Sequence, residues 1–437
     1  MNYTSFILQN PWRRGKQQID QSFPRTIFQS LSTSLNTKEI LVLTGSRQVG
    51  KTTLMKSLID KLLSQNISPS SIFYFNLDDY SLHPYFEKYT DFIDFINSEY
   101  QGFCYVFIDE IQRLNNPGIF LKLIYDLELN IKIIVSGSSS LELKSKTTEH
   151  LTGRKRVFEL FPFSFTEYLS TKQNHYFFEK DITNLKKFHH ESLNNLLLKF
   201  IQYGGYPKAI FSDTVEEKQI ELKEIFDSYI KKDVKDFLKI DNITGYNSLV
   251  KACANQVGNL INYNELSNIS GLNIKTVMKY MEYLEGTYIF KRVSPWFQNS
   301  RKEISKAPKI YGFDTGLMNY ITNRMNKDIY DGSIFENFVC TELIKYGLDV
   351  KFWRTGSGAE VDFIINDIPI EIKSGHLKKD SLTKSFSNFC KKYEPEKAIV
   401  FSANYYSQRK FLNSTIYFFP LWAIPKVVKF FNLDSAV

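Results

Sequence analysis

Two glycines, a lysine and a threonine stand near residue 50 at a spacing that can bind phosphate. The fixed positions of the pattern G-x-x-x-x-G-K-[ST] are filled, between an apolar run and an amphipathic one, by Gly45, Gly50, Lys51 and Thr52. Glycines let the backbone curl until its N–H groups, and the positive end of the following helix, point at phosphate oxygens. The pattern therefore predicts a P-loop. A plain glycine turn between a strand and a helix is the alternative.

The side chains of this loop have predicted roles. Lys51 is expected to contact the β- and γ-phosphates of ATP, and the Thr52 hydroxyl is expected to bind Mg²⁺, which prefers oxygen ligands. The predicted nucleotide-binding segment consists of Gly45, Ser46, Arg47, Gln48, Val49, Gly50, Lys51, Thr52 and Thr53. We therefore expect ATP and Mg²⁺ as cofactors.

Two carboxylates follow a later apolar run. This run, which begins at Phe103, ends in Asp109 and Glu110. In the pattern of a Walker B strand, Asp109 is predicted to bind Mg²⁺ through water and Glu110 to polarise the attacking water. An ordinary cap of the next helix is the alternative.

Two further residues are candidates for contact with the γ-phosphate. Ser138 follows the next apolar run and occupies the position of a phosphate sensor, although a helix cap is an equally good interpretation. Arg154 precedes the last predicted strand and is expected to meet a phosphate in the same chain or, in a homo-oligomer, in a neighbouring chain. The alternative for Arg154 is a solvated basic turn.

A second constellation lies in the C-terminal third, where Asp362, Glu371 and Lys373 fit a D…ExK pattern on two adjacent predicted strands. Alternation along a strand sets Glu371 and Lys373 on one face, and carboxylates on neighbouring strands can share a divalent ion. Lys373 is then expected beside the metal-bound water, with Glu336 approaching from a preceding helix as a further ligand. The alternative is a solvated acidic hairpin that binds no metal.

Residues 248–293 carry a helix-turn-helix pattern, with a first helix near 263–270 and a second near 274–284. The second helix is predicted to bury a stripe made of Ile274, Val277, Met278, Met281 and Leu284. Lys275, Thr276 and Lys279 then face outward and are expected to contact DNA, while basic residues within 291–309 form a wing. A spacer between domains that makes no DNA contact is the alternative.

Apolar runs alternating with amphipathic ones position these residues. Strands are predicted near 39–45, 71–77, 103–109 and 131–137, and helices near 50–64, 84–98 and 117–128. Because the strands are continuously apolar, they are expected in a parallel sheet with helices on both faces. The run 71–77, between the P-loop and Asp109, favours the additional-strand class of P-loop NTPase over a simple kinase.

Composition sets wider limits. With 437 residues, 43% hydrophobic and 23% charged, the chain is expected to be globular with about three domains. Its four cysteines are widely separated, which argues against a disulfide framework or a zinc site. Because no apolar run can span a membrane and the N-terminus lacks a signal peptide, we expect no membrane partner and a cytoplasmic location. A formal charge of +8 is compatible with a nucleic-acid partner but is weak support by itself.

Several short motifs together resemble one known family. They are Gly45–Leu54, Asp109–Arg113, Gly153–Arg154, Leu160–Phe165 and Tyr203–Pro207. Over nearly its whole length the chain resembles the prokaryotic AAA-type ATPases that are usually labelled only as ATP-binding proteins. The resemblance implies an ATPase core followed by a winged helix and a domain related to PD-(D/E)xK nucleases.

The expected fold is therefore α/β and multidomain. Its predicted segments are a lead-in (1–36), an AAA-type P-loop NTPase core (37–180), a helical lid (181–240), a winged helix-turn-helix (241–325) and a restriction-endonuclease-like α/β domain (326–437). One hypothesis is a Mg²⁺-dependent ATPase that acts on DNA, with a nuclease or DNA-binding C-terminal domain. The other is a nucleotide-controlled switch that binds a protein partner and keeps an inactive nuclease-like scaffold. Stimulation of ATP hydrolysis by DNA would distinguish them.

Overall fold

The computed structural model describes residues 3–15, 25–137, 151–172, 181–230, 234, 240–297, 306–326, 332–375, 377 and 379–428. The chain divides into two compact units, Met1–Phe161 and Pro162–Val437. The finer division into five segments stays a prediction.

The first unit is built on a parallel sheet. Its strands are β1 (Ile40–Thr44), β2 (Ile72–Asn76), β3 (Cys104–Asp109), β4 (Ile131–Ser136) and β5 (Lys155–Glu159). They lie in the order β2-β3-β4-β1-β5, and all neighbouring pairs are parallel. The predicted P-loop sheet is confirmed. Strand β4 lies between β1 and β3 in the sheet, and the run 71–77 forms β2, the outermost strand beside β3.

The described residues of this unit also form five helices. They are α1 (Tyr3–Gln9), α2 (Phe28–Thr33), α3 (Lys51–Ser64), α4 (Tyr89–Glu99) and α5 (Pro117–Asp126). The predicted helix at 84–98 begins later, at Tyr89, because the preceding turn Tyr80–Phe86 is a 3₁₀-helix that contains Pro84. Proline removes a backbone donor and disfavours the helical conformation in the residue before it.

The N-terminal lead-in, for which the sequence indicated no fold, covers the edge strand β2. The Asn10 side chain accepts a hydrogen bond from Tyr74 N (2.8 Å) and donates one to Tyr74 O (2.9 Å). Gln9 accepts another from Asn76 N, and Phe6 is completely buried in the core of the unit. These side chains satisfy backbone groups that an edge strand otherwise leaves unpaired.

The second unit opens with helices. They are α6 (Phe165–Thr171), α7 (Lys187–Tyr203), α8 (Pro207–Phe211) and α9 (Val215–Ser228). A capping box between Ser164 and Glu167 starts α6, and α7 ends at Gly204, which has a positive φ of 77°. A glycine tolerates this conformation, which suits it to the end of a helix.

A helix-turn-helix and a small hairpin follow. The elements are α10 (Ile243–Asn255), α11 (Tyr263–Ser270), α12 (Ile274–Gly286), β6 (Phe290–Val293), β7 (Lys309–Gly312) and α13 (Thr315–Ile321). Gly271, with a φ of 66°, ends α11, and Asn273 caps α12 by accepting from Thr276 N at 2.9 Å. Strands β6 and β7 pair antiparallel, with Phe290 opposite Gly312.

The C-terminal part is a mixed sheet with helices. Its elements are α14 (Gly332–Lys345), β8 (Lys351–Arg354), β9 (Glu360–Ile365), β10 (Ile368–Ile372), α15 (Lys384–Tyr393), β11 (Lys397–Ser402), β12 (Ser407–Phe411), β13 (Ser414–Pro420) and α16 (Ile424–Val427). The strand order is β12-β13-β11-β10-β9-β8. The predicted hairpin is β9–β10, whose two-residue turn, Asn366-Asp367, has positive φ at both positions, as a type I′ turn requires.

Candidate functional sites

The P-loop lies between β1 and α3. Gly45 has a φ of +149°, and a Cβ on it would lie 2.1 Å from the carbonyl oxygen of Leu160, so only glycine fits there. Gly50 caps α3 with a φ of 97°. Lys51 is 6% exposed, and its ammonium donates to the Gly45 and Ser46 carbonyls at 3.0 and 2.8 Å. These hydrogen bonds hold Lys51 over the loop, where its ammonium could contact a bound anion.

The remaining loop positions differ in exposure. Val49 is completely buried, whereas Arg47 and Gln48 are half-buried and Gln48 has a φ of 61°. Thr53 is exposed on the first turn of α3, so its side chain points away from the protein interior. The Val49 carbonyl accepts a 2.8 Å hydrogen bond from Arg25, a residue of the lead-in that sequence reasoning missed.

Asp109 is the centre of a hydrogen-bond network at the end of the sheet. Its Oδ2 accepts from the Thr52 hydroxyl at 2.6 Å and from the Tyr74 hydroxyl at 2.9 Å. Its Oδ1 accepts from the Ser136 hydroxyl. The sheet order explains this convergence, because β3 lies between β2, which carries Tyr74, and β4, which carries Ser136. Thr52 and Asp109 therefore meet as predicted, while Tyr74 and Ser136 were missed.

Glu110 follows β3 in a left-handed conformation, with a φ of 58°. Its side chain accepts from Gln112 Nε2, and its backbone N–H donates to Ser136 Oγ at 3.2 Å. Burial, opposed by the charges of Lys51 and Arg47, raises the pKa of Glu110 above its ordinary value. A carboxylate with a raised pKa beside the lysine of a P-loop is chemically suited to accept a proton.

Ser138 and Arg154 are the two residues predicted to contact the γ-phosphate. Ser138 lies outside the described residues, and Ser136 is the serine of β4 that contacts Asp109. Arg154 precedes β5, and its carbonyl accepts from Ile40 N at the start of β1, so it lies at the sheet edge opposite the P-loop. The side chain pairs with Asp126 at 2.8 Å. The predicted phosphate contact of Arg154 within its own chain is therefore wrong, and a contact in a neighbouring chain stays a prediction.

The helix α12 presents its predicted lysines to solvent. Lys275 and Lys279 are exposed, and Thr276 is half-buried. The buried stripe differs from the prediction, because it consists of Val277, Tyr280, Met281 and Leu284. Ile274 and Met278 are instead 39% and 45% exposed. The aromatic ring of Tyr280 fills the interior position, packing on Tyr246 of α10 with ring centroids 5.1 Å apart.

The basic wing expected within 291–309 is also revised. Lys291 and Arg292 both pair with Glu285, at 3.0 and 2.8 Å, and Lys309 is buried rather than exposed. Residues 298–305 lie outside the described part of the chain. The described residues of this segment thus offer fewer unpaired cations to DNA than the sequence indicated.

The hairpin β9–β10 carries the C-terminal constellation. Asp362 Oδ2 accepts from Ile372 N at 2.7 Å, and Lys373 Nζ donates to Glu371 Oε1 at 2.5 Å. Burial, and then the charges of Glu336 and Glu371, raise the pKa of Asp362 well above its ordinary value. The structure therefore brings together Asp362 of β9, Glu371 of β10 and Lys373, the residue that directly follows β10.

A neighbouring set of acids was only partly foreseen. Carboxylate oxygens of Glu336, Glu360 and Asp362 lie within 4.8 Å of one another, a spacing that a metal ion could bridge. Lys309 Nζ donates to Glu336 at 2.9 Å and also pairs with Glu360. Burial alone would lower the pKa of Lys309, but the charges of Glu336 and Glu360 raise it above its ordinary value. Glu360 could have been found from its i, i+2 spacing to Asp362, whereas Lys309 has no local signal.

Comparison with family models identifies the first part of the chain. Residues 37–169 match the model of an AAA domain, so the predicted resemblance to AAA-type ATP-binding proteins is confirmed. Residues 194–328 and 331–424 match two domains of unknown function, DUF8612 and DUF4143.

Relatives match over most of the chain. An uncharacterized protein of Haemophilus influenzae is 24% identical over 391 residues, covering 85% of this chain and 91% of the relative. One of Methanocaldococcus jannaschii is 27% identical over 351 residues, covering 78% and 75%. Among solved structures, the Walker-type ATPase PABY2304 of Pyrococcus abyssi is 12% identical with a TM-score of 0.46, covering 70% of this chain and 97% of that one. Within the described residues, no helix is both long and apolar enough to cross a membrane.

Proposed function

We propose that this chain is a Mg²⁺-dependent ATPase that acts on DNA. The observation that carries the ATPase part is the convergence of Lys51, Thr52 and Asp109, with Glu110 beside them, at the end of a parallel sheet. Ligands of such sheets bind at the carboxyl ends of the strands.

Each of these residues has a distinct task. The Thr52 hydroxyl and the Asp109 carboxylate lie 2.6 Å apart and offer the oxygen ligands that Mg²⁺ prefers, so both fit this ion. Bound there, Mg²⁺ would neutralise negative charge on the β- and γ-phosphates. Lys51 contacts the same phosphates, and Glu110, oriented by Gln112, accepts the proton of the attacking water.

The ATPase proposal is tested by replacing Lys51 with alanine. Because Lys51 supplies a buried ammonium to the loop, Lys51→Ala is expected to abolish ATP binding in a calorimetric titration. Lys56→Ala on the same helix is the matched control and is expected to bind ATP like the wild type. Unchanged affinity in the folded Lys51→Ala protein would refute the P-loop assignment.

A cavity of about 720 Å³ in the second unit supports contact with DNA. Its aromatic and basic lining includes Phe297, Trp353, Tyr393, Lys306, Arg354 and Lys392. Basic grooves with aromatic side chains suit single-stranded nucleic acid, because the phosphates meet cations and the bases stack on rings. Arg354 also pairs with Glu360 at 3.1 Å, which connects the cavity wall to the acidic hairpin.

The C-terminal hairpin is proposed as a divalent metal site. Asp362 and Glu371 would bind the ion, with Glu336 nearby, and Lys373 would position a water for attack on a phosphodiester. Incubation with linear and branched DNA in Mn²⁺ tests cleavage, with Asp362→Ala/Lys373→Ala as the inactive comparison. Equal cleavage by both proteins would indicate contamination, and no metal binding to the wild type by calorimetry would refute the metal site.

The nucleotide-controlled switch is favoured by one observation. Ile269, Ile274 and Met278 of the helix-turn-helix are 52%, 39% and 45% exposed, and apolar residues of this size suit a protein partner more than phosphates. The ATPase rate with and without single-stranded, duplex and branched DNA separates the two functions. Stimulation by DNA supports the first, and slow hydrolysis indifferent to DNA supports the switch.

A further inference from the structure

Lys309 is an unusual lysine because its side chain is only 3% exposed. It is the first residue of β7 and reaches into the group of acids beside the hairpin β9–β10. Its ammonium contacts Glu336 of α14 at 2.9 Å and Glu360 of β9. A buried ammonium is stable only when it is paired, and here two carboxylates from different elements pair it.

Neighbouring groups complete this arrangement. Tyr311, two residues along β7 and therefore on the same face, donates its hydroxyl to Glu336 Oε1 at 2.5 Å. Glu360 also pairs with Arg354 at 3.1 Å, and Asp362 accepts the Ile372 N–H at 2.7 Å. Lys309 is thus the cation on which Glu336 and Glu360 converge.

A divalent ion would need the same oxygens. Three carboxylates within 4.8 Å of one another repel, and either an ammonium or a metal ion relieves the repulsion. Both cannot occupy the space between Glu336 and Glu360, because both require close contact with those oxygens. Because the ammonium is attached to the chain, its presence between Glu336 and Glu360 does not depend on the concentration of free ions.

We propose that Lys309 is a built-in cation that takes the position of a second divalent ion in the acidic centre, by which we mean Glu336, Glu360, Asp362 and Glu371. The centre consequently binds a single ion, through Asp362 and Glu371, while Glu336 and Glu360 remain paired with the lysine. Lys309 is a positioning residue, because it holds the two glutamates in place. This inference rests on the metal site of the proposed function and specifies how many ions it binds.

The test measures how many Mn²⁺ ions the full-length protein binds by calorimetry. Lys309→Met is expected to bind about one ion more than the wild type, because Glu336 and Glu360 become free to coordinate it. Adding Glu360→Gln to this variant is expected to remove the extra ion. Lys309→Arg keeps a cation in place and is expected to bind the same number of ions as the wild type.

Thermal unfolding gives a second measurement that does not depend on activity. Lys309→Met is expected to unfold at a lower temperature than the wild type without metal, and Mn²⁺ at about 100 times its dissociation constant is expected to raise its midpoint by roughly 5 °C more than that of the wild type. Where the variant does not fold alone, refolding on addition of Mn²⁺ is the expected gain.

The outcomes separate this inference from the proposed metal site. Equal ion counts in wild type and Lys309→Met, without a Mn²⁺-dependent gain in stability, would overturn the inference. A wild type that binds no ion at all would refute the Asp362 site, while an ion gained by Lys309→Met would still support the role of Lys309. Loss of the wild-type ion in Asp362→Asn would support the proposed site at Asp362, whereas the role of Lys309 is decided by the ion count of Lys309→Met.

Discussion

Replacing Tyr74 with phenylalanine tests how the sheet positions Asp109, the carboxylate that we propose as a Mg²⁺ ligand. Tyr74 is 4% exposed, and its hydroxyl donates to Asp109 Oδ2 at 2.9 Å, on the same oxygen that Thr52 contacts. Phenylalanine keeps the ring in the core and removes only this donor. The substitution therefore isolates one hydrogen bond to a buried carboxylate.

The magnitude follows from the partners that remain. A hydrogen bond to a charged group contributes about 1.5–3 kcal/mol, and Asp109 keeps its Thr52 and Ser136 donors, so we expect the lower end. A loss of about 1.5 kcal/mol corresponds to a decrease of roughly 3–6 °C in the unfolding midpoint. Removing such an outer partner of a metal ligand typically weakens metal binding or activity about 10–100-fold.

The assay is the Mg²⁺ concentration that gives half-maximal ATP hydrolysis, measured beside thermal unfolding. Tyr74→Phe is expected to need at least about tenfold more Mg²⁺ than the wild type. Tyr105→Phe is the matched control, because Tyr105 is 9% exposed and lies at the other end of β3 from Asp109. A Tyr74→Phe protein with the wild-type midpoint and Mg²⁺ requirement would show that Asp109 does not depend on this network.

Three further predictions concern charge. Glu110→Gln is expected to bind ATP but hydrolyse it at least about 100-fold more slowly, measured by titration and phosphate release, because an amide cannot accept the proton. Lys275→Ala/Lys279→Ala is expected to reduce the salt dependence of DNA binding by about two phosphate contacts. If the slope of log affinity against log salt concentration did not change, α12 would not contact DNA. Burial lowers the pKa of Lys132 to about 8 from its ordinary 10.5, so the folded state binds this proton less tightly. The free energy of unfolding is therefore expected to rise by about 3 kcal/mol as the pH increases from about 8 to about 10.5. Denaturant unfolding at several pH values measures this rise, which Lys132→Met should lack.

The sequence predicted those parts of the first unit that depend on local pattern. Continuous apolar runs located β1, β2, β3 and β4, and the glycine spacing located the loop before α3. The order of strands could not be derived in this way, because a run of apolar residues does not specify its neighbour. The place of the run 71–77 at the edge of the sheet, beside β3, is known only from the structure.

The same limit applies to the candidate sites. Thr52, Asp109, Asp362 and Glu371 belong to short motifs and were found. Tyr74 was not, because it contacts Asp109 only through the pairing of two strands 35 residues apart along the chain. The sequence around Lys309 is basic and therefore indicated an exposed wing. The acids that pair with Lys309 come from α14 and β9, which are distant from it along the chain. Long-range pairing of a charge leaves no local signature.

Arg25 shows that even the lead-in contributes to the candidate nucleotide site. Its Nη1 donates to Val49 O at 2.8 Å and its Nη2 to Phe161 O at 2.6 Å, so one guanidinium ties the P-loop to the chain that follows β5. A planar guanidinium can bridge two carbonyls at once, whereas an ammonium is a compact point charge on a flexible stem.

Arg25→Lys is therefore expected to keep the charge but lose one of these contacts, and the loop should be held less firmly for ATP. Losing one hydrogen bond from a charged donor, worth about 1.5 kcal/mol, predicts a decrease in ATP affinity of up to about tenfold in a binding titration. Arg14→Lys, an exposed position in the same segment, is the control and is expected to bind ATP like the wild type. If Arg25→Lys bound ATP with wild-type affinity while Lys51→Ala did not, Arg25 would only stabilise the fold, and the loop would hold its shape through its glycines alone.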